Sequence, residues 1–289
     1  MNYIIFDLEW NQPNDPSAMV TDPVCLVGEI IELGAVKLDD DFKLIDELRL
    51  YITPKYYTRM HKRIAALTGI RDKDLMTRGI PFPEAYARFR QWCGEEYRFM
   101  TWSMSDVPEL IDNMLLHGID VSELPVCYDI QRIFGREIMR SDTRFSLDNA
   151  LEILKEKGDT AHDALNDARN TARICSHLDL DVYLEEYGAQ VFAEPPLTAS
   201  YPSHREALND PRLAVFTCPW CGGTVQCEPW IQDRRGYMSC GVCPEEDEFF
   251  VQLSMIRLHD NTYRTRRLVY EMSDDLWDIY MDRKEPLTV

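Results

Sequence analysis

Three largely apolar runs near the N-terminus predict β-strands. They span residues 2–9, 29–38 and 42–52. Three consecutive aspartates at 39–41 predict a hairpin turn between the second and third runs. Apolar residues at helical spacing follow in five segments, near 57–67, 82–93, 106–117, 146–157 and 163–182. With a further strand expected at 98–103, this order predicts an α/β fold, a mixed sheet flanked by helices.

The apolar pattern breaks in the second half of the chain. Residues 184–213 contain four prolines, and no periodicity continues through them. We predict a linker there, between an N-terminal domain at 1–183 and a C-terminal module at 214–289. The module holds a cysteine cluster and further expected elements, a hairpin at 248–258 and 263–272 and a helix that begins at Ser273.

Composition excludes some classes of protein and leaves others open. Of the 289 residues 45% are hydrophobic, which is enough for a substantial core. No apolar run approaches the roughly 20 residues of a membrane helix, and no basic leader precedes the first strand. We therefore expect no membrane span and a cytoplasmic location. The formal net charge of −19 argues against broad coating of nucleic acid but leaves room for a local binding groove.

Two acidic residues close the first predicted strand. Side chains alternate along a strand, so Asp7 and Glu9 point to the same face. Two adjacent carboxylates repel each other and are costly to desolvate, and a divalent cation relieves both problems. The alternative is a strand that ends in solvent with two surface acids, and these residues alone favour neither.

Three further polar residues stand where predicted strands and helices begin or end. Asp106 lies between the strand at 98–103 and the next helix, where an Asp often has only a capping role. The spacing of apolar residues places Asp167 on a helix, and the Thr160–Asp163 pair predicts that this helix begins nearby. His162 is then in or beside a loop. Taken singly, each favours a structural or surface role.

Together these segments resemble the DEDDh exonucleases of the ribonuclease-H-like superfamily, and most of all the branch with the histone-mRNA 3′ exonuclease and KapD-like bacterial proteins. The resemblance covers about residues 1–182. It rests on three motifs: Asp7-Leu8-Glu9, the segment 102–106 with Leu110, and the segment 162–168. In the last, four residues separate His162 from Asp167, the spacing of the histidine subclass. Segments 29–36, 67–70 and 144–147 resemble further family landmarks.

The resemblance implies a metal-dependent 3′–5′ exonuclease. It places two Mg²⁺ or Mn²⁺ ions on four carboxylates, Asp7, Glu9, Asp106 and Asp167. His162 is then the general base, and Glu9 with the Leu8 backbone meets the terminal 3′ hydroxyl. The expected substrate is single-stranded RNA or DNA with a free 3′ end, with RNA favoured. The alternatives are a noncatalytic nucleic-acid- or protein-binding module that retains the fold, and a trimming or proofreading subunit of a larger complex.

A local basic and aromatic patch is a candidate for substrate binding. It contains Lys55, Arg59, Lys62 and Arg63, with Tyr56, Tyr57 and His61 among them. Guanidinium groups and rings there could meet phosphates and bases, but the solvated face of a helix explains the pattern equally well. Trp10 could stack on a base or simply pack in the core.

Five of the nine cysteines fall in one short segment. Two CxxC pairs separated by 18 residues match a zinc ribbon, which predicts one structural Zn²⁺ on Cys218, Cys221, Cys240 and Cys243. Unrelated thiol pairs, a redox motif or an iron site are the alternatives, and Cys227 is a bystander or a substitute ligand. The other four, expected to be reduced and packed, are Cys25, Cys93, Cys127 and Cys175.

Arginines are frequent in the same module. Six of them suggest either a nucleic-acid surface, slightly preferred, or a module that binds a protein partner or only packs on the catalytic domain. They are Arg234, Arg235, Arg257, Arg264, Arg266 and Arg267.

Overall fold

A computed structural model describes residues 1–122, 124–193, 197–233 and 236–284. The predicted α/β fold is confirmed: a six-stranded mixed sheet has the order β3-β2-β1-β4-β5-β6. Strand β1 pairs antiparallel with β2 and parallel with β4, so it lies at the centre. The strands are β1 (Asn2–Asn11), β2 (Glu29–Leu38), β3 (Leu44–Tyr51), β4 (Tyr97–Thr101), β5 (Cys127–Asp129) and β6 (Gly188–Ala189).

Eight helices among the described residues accompany this sheet. They are α1 (Lys62–Thr68), α2 (Asp72–Arg78), α3 (Phe82–Cys93), α4 (Asp106–Leu116), α5 (Ile130–Glu137), α6 (Leu147–Leu154), α7 (Ala164–Cys175) and α8 (Leu180–Tyr187). Helices α2 and α5 were not predicted, and α7 and α8 were expected as a single helix. In the part of the chain that the structure describes, no helix is both long and apolar enough to cross a membrane.

The C-terminal region is a second sheet, larger than the expected small ribbon. Its path is β7-β13-β12-β11-β9-β8, and β10 pairs with β11. The strands are β7 (Val191–Ala193), β8 (Val215–Thr217), β9 (Thr224–Cys227), β10 (Ile231–Asp233), β11 (Gly236–Val242), β12 (Glu248–Arg257) and β13 (Tyr263–Glu271). Two helices complete it, α9 (His204–Leu208) and α10 (Asp274–Lys284). The predicted hairpin is β12–β13, and the predicted C-terminal helix is α10.

The segment 184–213 differs from the linker that its prolines predict. It includes the end of α8, strands β6 and β7, and helix α9. Strand β6 pairs with β5 of the first sheet, whereas β7 pairs with β13 of the second, with only Gln190 between them. The chain therefore passes directly from one sheet to the other. Short paired strands of two or three residues have no periodicity by which the sequence could reveal them.

The two sheets share one hydrophobic cluster, and each also has buried clusters of its own. Residues of β1 and β4 belong to the same buried cluster as Phe250, Leu268 and Tyr270 of the second sheet and Tyr280 of α10. Tyr280 is 1% exposed, which marks how closely α10 is packed. The two regions therefore pack against each other through this shared cluster, and their division into two domains stays a prediction.

Ion pairs also join the second sheet to the helices of the first. Arg266 on β13 contacts Glu109 at 3.2 Å and Asp112 at 2.6 Å, both on α4. Arg132 on α5 pairs with Asp275 on α10. These side chains are mostly buried, so each charge depends on its partner for solvation.

Removing Arg266 tests this connection. The variant Arg266→Met leaves Glu109 and Asp112 buried without their cation, and we expect a loss of about 3 kcal/mol of unfolding free energy. Urea unfolding at neutral pH measures the loss. The control is Arg88→Met, because the exposed Arg88–Glu84 pair on α3 should cost no more than about 0.5 kcal/mol. Equal effects of the two variants would contradict a structural role for the Arg266 pair.

Candidate active site

The central strand β1 presents two carboxylates to one face. Asp7 and Glu9 are both half-buried, whereas Leu8 between them is fully buried. The register places Asp7 opposite Gly34 of β2 and Glu9 opposite Glu32. The alternation that the sequence predicts is thus realised in the structure, at the centre of the sheet.

Helix α4 brings a third carboxylate to β1. Asp106 is the first residue of α4 and is 5% exposed. Its Oδ1 accepts a hydrogen bond of 3.1 Å from the backbone N–H of Leu8, which lies between the two β1 acids. This bond fixes the Asp106 side chain beside Asp7 and Glu9. It also occupies the Leu8 N–H, so only other groups of Leu8 remain for the predicted substrate contact.

The start of helix α7 supplies the fourth carboxylate and the histidine. Asp163 caps the helix by accepting a hydrogen bond from the Asn166 N–H, and Asp167 is buried on its first turn. A Cβ on Gly34 would stand 2.0 Å from the backbone N of Leu165, so only glycine lets α7 approach β2 this closely. The exposed His162 precedes the helix with a left-handed φ of 62°.

The arrangement brings the five predicted residues together. Ligand atoms of Glu9, His162 and Asp167 lie within 4.8 Å of one another. The His162 N–H donates to Asp167 Oδ2 at 2.9 Å, whereas Asp167 Oδ1 is buried with no hydrogen-bond partner among the described residues. A buried carboxylate oxygen without a donor is costly, and a divalent cation would satisfy it. The donor set fits a hard cation that prefers oxygen.

Burial and mutual repulsion shift the titration of these acids. Burial is the largest cause in every case, and it raises the pKa of Glu9 to about 8, of Asp106 to about 7 and of Asp167 to about 6. The pKa of Asp7 is raised well above its ordinary value by burial and then by the charges of Asp106, Asp167 and Glu9. Without a cation, the folded site therefore retains protons at neutral pH.

A fifth carboxylate, Glu32 on β2, borders the site and was missed by the sequence analysis. It is 1% exposed, and burial followed by the charge of Asp163 raises its pKa to about 7. Arg49 on β3 contacts Glu32 at 3.4 Å and also pairs with Asp163 beside His162. The guanidinium thereby ties β2 and β3 to the start of α7. The segment 29–36 was noticed as a strand, but only the register shows that Glu32 faces Glu9.

The predicted basic patch lies at the exit of the active-site strand. Lys55, Arg59, Lys62 and Arg63 are all exposed. Asn11, the last residue of β1, donates to the carbonyls of Tyr57 and Arg59 at 2.7 and 3.0 Å and accepts from the His61 N–H. These bonds hold the patch next to the end of the strand that carries Asp7 and Glu9.

The aromatic residues around this patch are mostly structural. Tyr57 is buried and its hydroxyl donates to the Leu26 carbonyl at 2.7 Å, so it does not face substrate. His61 caps α1. Trp10 packs against Gly28, where a Cβ would stand 2.2 Å from its ring, and it also lines a groove.

The C-terminal cysteine cluster contains three of the four predicted ligands. Cys218, Cys221 and Cys243 lie with Asp247 so that their ligand atoms are within 4.8 Å of one another. Two turns present them: Gly222 N–H donates to the Cys218 carbonyl, and Glu246 N–H donates to the Cys243 carbonyl. The Asp247 carboxylate lies 3.0 Å from the Cys243 sulfur and 3.6 Å from that of Cys218. The group is suited to a metal ion.

Cys240 departs from the predicted ligand set. It lies within β11 opposite Phe250 and belongs to the shared core, next to Tyr280. The second CxxC therefore does not form a turn, and Asp247 completes the group instead. Spacing alone favoured Cys240 because the sequence does not show that β11 continues through it. Cys227 is also outside the group, as the bystander interpretation expected.

The arginines of the second sheet are largely engaged inside the protein. Arg264 donates to the Thr21 carbonyl at 2.8 Å, and Arg267 donates to three backbone carbonyls at 212, 213 and 215. Arg266 pairs with α4 as described above. The slightly preferred nucleic-acid surface therefore does not hold for these three, and Arg234 and Arg235 lie outside the described residues.

The raised pKa values give stability a definite pH dependence. In the unfolded chain these acids titrate near 4, so the folded protein holds more protons between about pH 4 and 8. We expect the melting temperature in divalent-free buffer to fall as the pH rises from 5.5 to 8. Added Mg²⁺ should raise the melting temperature more at pH 8 than at pH 5.5. The double variant Glu9→Gln, Asp106→Asn should flatten the profile, and an unchanged slope would contradict this assignment.

Comparison with known proteins places this geometry in context. A model of the RNase_T exonuclease family matches residues 4–175, more than half of the chain. A comparison with curated protein sequences gives no match. The structure of the nuclease domain of 3′hExo, a DEDDh family member bound to rAMP, has a TM-score of 0.52 and 23% identity. That match covers 62% of this chain and 92% of the other.

Two further solved structures share the fold. Cell-death related nuclease 4 gives a TM-score of 0.52 and 23% identity, over 61% of this chain and 62% of the other, so this chain spans less than two thirds of its length. Exonuclease I of E. coli, in complex with a dA16 oligonucleotide, gives a TM-score of 0.51 and 14% identity, over 84% of this chain and 54% of the other. These likenesses confirm the ribonuclease-H-like fold. The chain therefore belongs to the RNase_T exonuclease family.

Proposed function

We propose that this protein hydrolyses single-stranded nucleic acid from its 3′ end, RNA in preference to DNA, with two Mg²⁺ or Mn²⁺ ions and His162 as general base. The observation that carries the proposal is the cluster of Asp7, Glu9, Asp106 and Asp167 at the centre of the sheet, with Asp167 Oδ1 unsatisfied. A pair of divalent cations about 3.5–4 Å apart activates a water and stabilises the charge of the leaving oxygen.

Each active-site residue has a separate role in this scheme. Asp7, Glu9 and Asp167 would hold one cation, and Asp106 with Asp7 the other. The Leu8 N–H keeps Asp106 oriented through its 3.1 Å hydrogen bond. Arg49 fixes Asp163 and so the start of the helix that carries Asp167.

His162 is placed to accept the proton of the attacking water. Its imidazole is exposed at the edge of the cluster, and its ring nitrogens have no recorded hydrogen-bond partner among the described residues. Imidazole is the side chain most often used as a general base. The backbone bond from His162 to Asp167 limits how far the ring can swing from the site.

An exposed basic patch and the family resemblance support the choice of substrate. Lys55, Arg59, Lys62 and Arg63 offer exposed positive charge near the end of β1 that can contact a phosphate of the substrate. The preference for RNA rests on the resemblance to the histone-mRNA 3′ exonuclease branch. Of the similar structures, one was solved with rAMP and one with dA16.

Incubation with 5′-labelled single-stranded RNA and DNA tests the activity. In Mn²⁺ or Mg²⁺ we expect a ladder that shortens from a free 3′ end and is faster on RNA. Asp7→Ala should abolish it by removing the central ligand. His162→Ala should lower kcat by about 100-fold or more, with little change in substrate or Mn²⁺ affinity, because a general base acts only in the chemical step.

Matched substrates and variants separate the outcomes. Cleavage of a strand with a blocked 3′ end would indicate an endonuclease. No cleavage with any metal would remove the enzyme proposal and leave a binding module. An equal loss of metal binding and turnover in His162→Ala would show a structural histidine.

We also propose one structural Zn²⁺ in the C-terminal module, on Cys218, Cys221, Cys243 and Asp247 and not on Cys240. A tetrahedral zinc with bonds of about 2.3 Å to sulfur and 2.0 Å to oxygen separates those atoms by about 3.5 Å. The Asp247 contacts of 3.0 and 3.6 Å are close to that spacing. Backbone N–H groups of Cys221, Gly223 and Asp247 also face the sulfurs, at 3.3 to 3.5 Å, which suits thiolates.

Zinc content of two variants distinguishes the ligand sets. After exposure to a chelator, Cys240→Ser should retain one zinc per chain, whereas Asp247→Ala should lose it, because only the second removes a ligand. Elemental analysis of the purified proteins gives the ratio. The reverse result would restore the two CxxC pairs as ligands, and wild-type protein without zinc would end the proposal.

A further inference from the structure

A groove of about 950 Å³ runs between the catalytic sheet and the second sheet. One end lies beside the active site, because Ser105 lines the groove and its hydroxyl is 3.5 Å from Asp106 Oδ2. Its outer wall is formed by Gln252 and Ser254 of β12 and by Ile279 of α10, among other residues. This volume is at the upper end of the roughly 300–1,000 Å³ of small-ligand sites, so it exceeds what one terminal nucleotide needs.

Five arginines and four acids line the groove, and most of them are paired. The arginines are Arg132, Arg136, Arg144, Arg266 and Arg283. Four of these form ion pairs with acids, Arg132 with Asp275, Arg136 with Asp142, Arg266 with Glu109 and Arg283 with Asp233. These pairs also account for three of the four acids that line the groove, which leaves Asp282.

Arg144 is the exception. It is exposed, and it forms no hydrogen bond or ion pair with any residue that the structure describes. Its charge does act on the buried Asp129, where it opposes the rise in pKa that burial causes. A free guanidinium in a groove that begins beside Asp106 can bind a phosphate without breaking an existing pair.

The backbone beside Arg144 is fixed to the active-site loop. The Phe145 carbonyl accepts hydrogen bonds from Trp102 Nε1 at 3.2 Å and from Gln131 Nε2 at 2.6 Å. Trp102 begins the segment that leads to Asp106. Arg144 is therefore anchored close to the site while its side chain remains available.

Aromatic rings lie in a connected recess of about 110 Å³. It shares Met104, Arg132 and Arg144 with the groove, and Tyr187 and Tyr237 are among its other lining residues. Stacking on such rings is a sequence-tolerant way to hold an unpaired base. Guanidinium groups and rings therefore line connected cavities, a combination that suits a single strand, whose bases are accessible, better than a duplex.

We propose that this groove binds the single-stranded nucleotides upstream of the scissile bond, and that Arg144 holds one of their backbone phosphates. The inference rests on the proposed exonuclease activity and assigns the second sheet a part in substrate binding. Arg144 is a substrate-binding residue in this scheme and takes no part in the chemical step.

Substrate length provides the test. A dinucleotide carries only the scissile phosphate, whereas a 12-nucleotide strand also fills the groove. We expect Arg144→Ala to lower kcat/KM for the 12-mer about tenfold, through KM, and to change the dinucleotide less than about twofold. Arg205→Ala, at an exposed position on α9 that does not line the groove, is the matched control.

Direct binding separates this inference from the activity itself. With a fluorescent 12-mer in divalent-free buffer, Arg144→Ala should weaken binding and reduce the slope of log Kd against log salt by about 0.7. Asp282→Asn, which removes a lining negative charge, should tighten binding. Equal kinetic losses on both substrates would place Arg144 at the scissile phosphate, and unchanged binding in both variants would exclude the groove. If the wild type cleaves neither substrate, the binding measurement still tests whether the groove and Arg144 hold the strand.

Discussion

Repulsion among carboxylates at the centre of a sheet is the constraint on which this structure depends. Asp7, Glu9, Asp106 and Asp167 meet where burial alone already raises their pKa values. A fold gains nothing in stability from such a cluster, because every acid must either retain a proton or share a cation. The cost is understandable only if the site binds divalent ions, and the surrounding elements are arranged to sustain it.

The supporting elements reach the site from different directions. Strand β1 provides two acids, α4 a third through the hydrogen bond to Leu8, and α7 the fourth through its close approach over Gly34. The second sheet contacts α4 through Arg266. Its guanidinium pairs with Glu109 and Asp112, which lie one and two turns after Asp106. The C-terminal module is therefore part of the scaffold of the catalytic site and a wall of the groove that leads to it.

The sequence predicts the central strands, the longer helices and the five clustered residues, because these depend on local periodicity and on motif spacing. Glu32 could not be identified from the sequence, because its position in the site depends on the register between β1 and β2. Asp247 could not be identified as a ligand from the sequence, because the CxxC spacing points to Cys240. The position of Cys240 within a strand depends on its pairing with β12. A linker was expected at 184–213 for a similar reason. Strands β6 and β7 are too short to show a sequence pattern, and they form only by pairing with strands that are distant in sequence.

Titration of Mn²⁺ into the zinc-loaded protein in divalent-free buffer tests the central claim most directly. Calorimetry in two buffers of different ionisation enthalpy counts the protons released. Because the acids hold protons near pH 7, Mn²⁺ binding should release at least about one proton per chain and should be tighter at pH 8 than at pH 6. Binding without proton release, or equal binding by Asp7→Ala, would contradict the account.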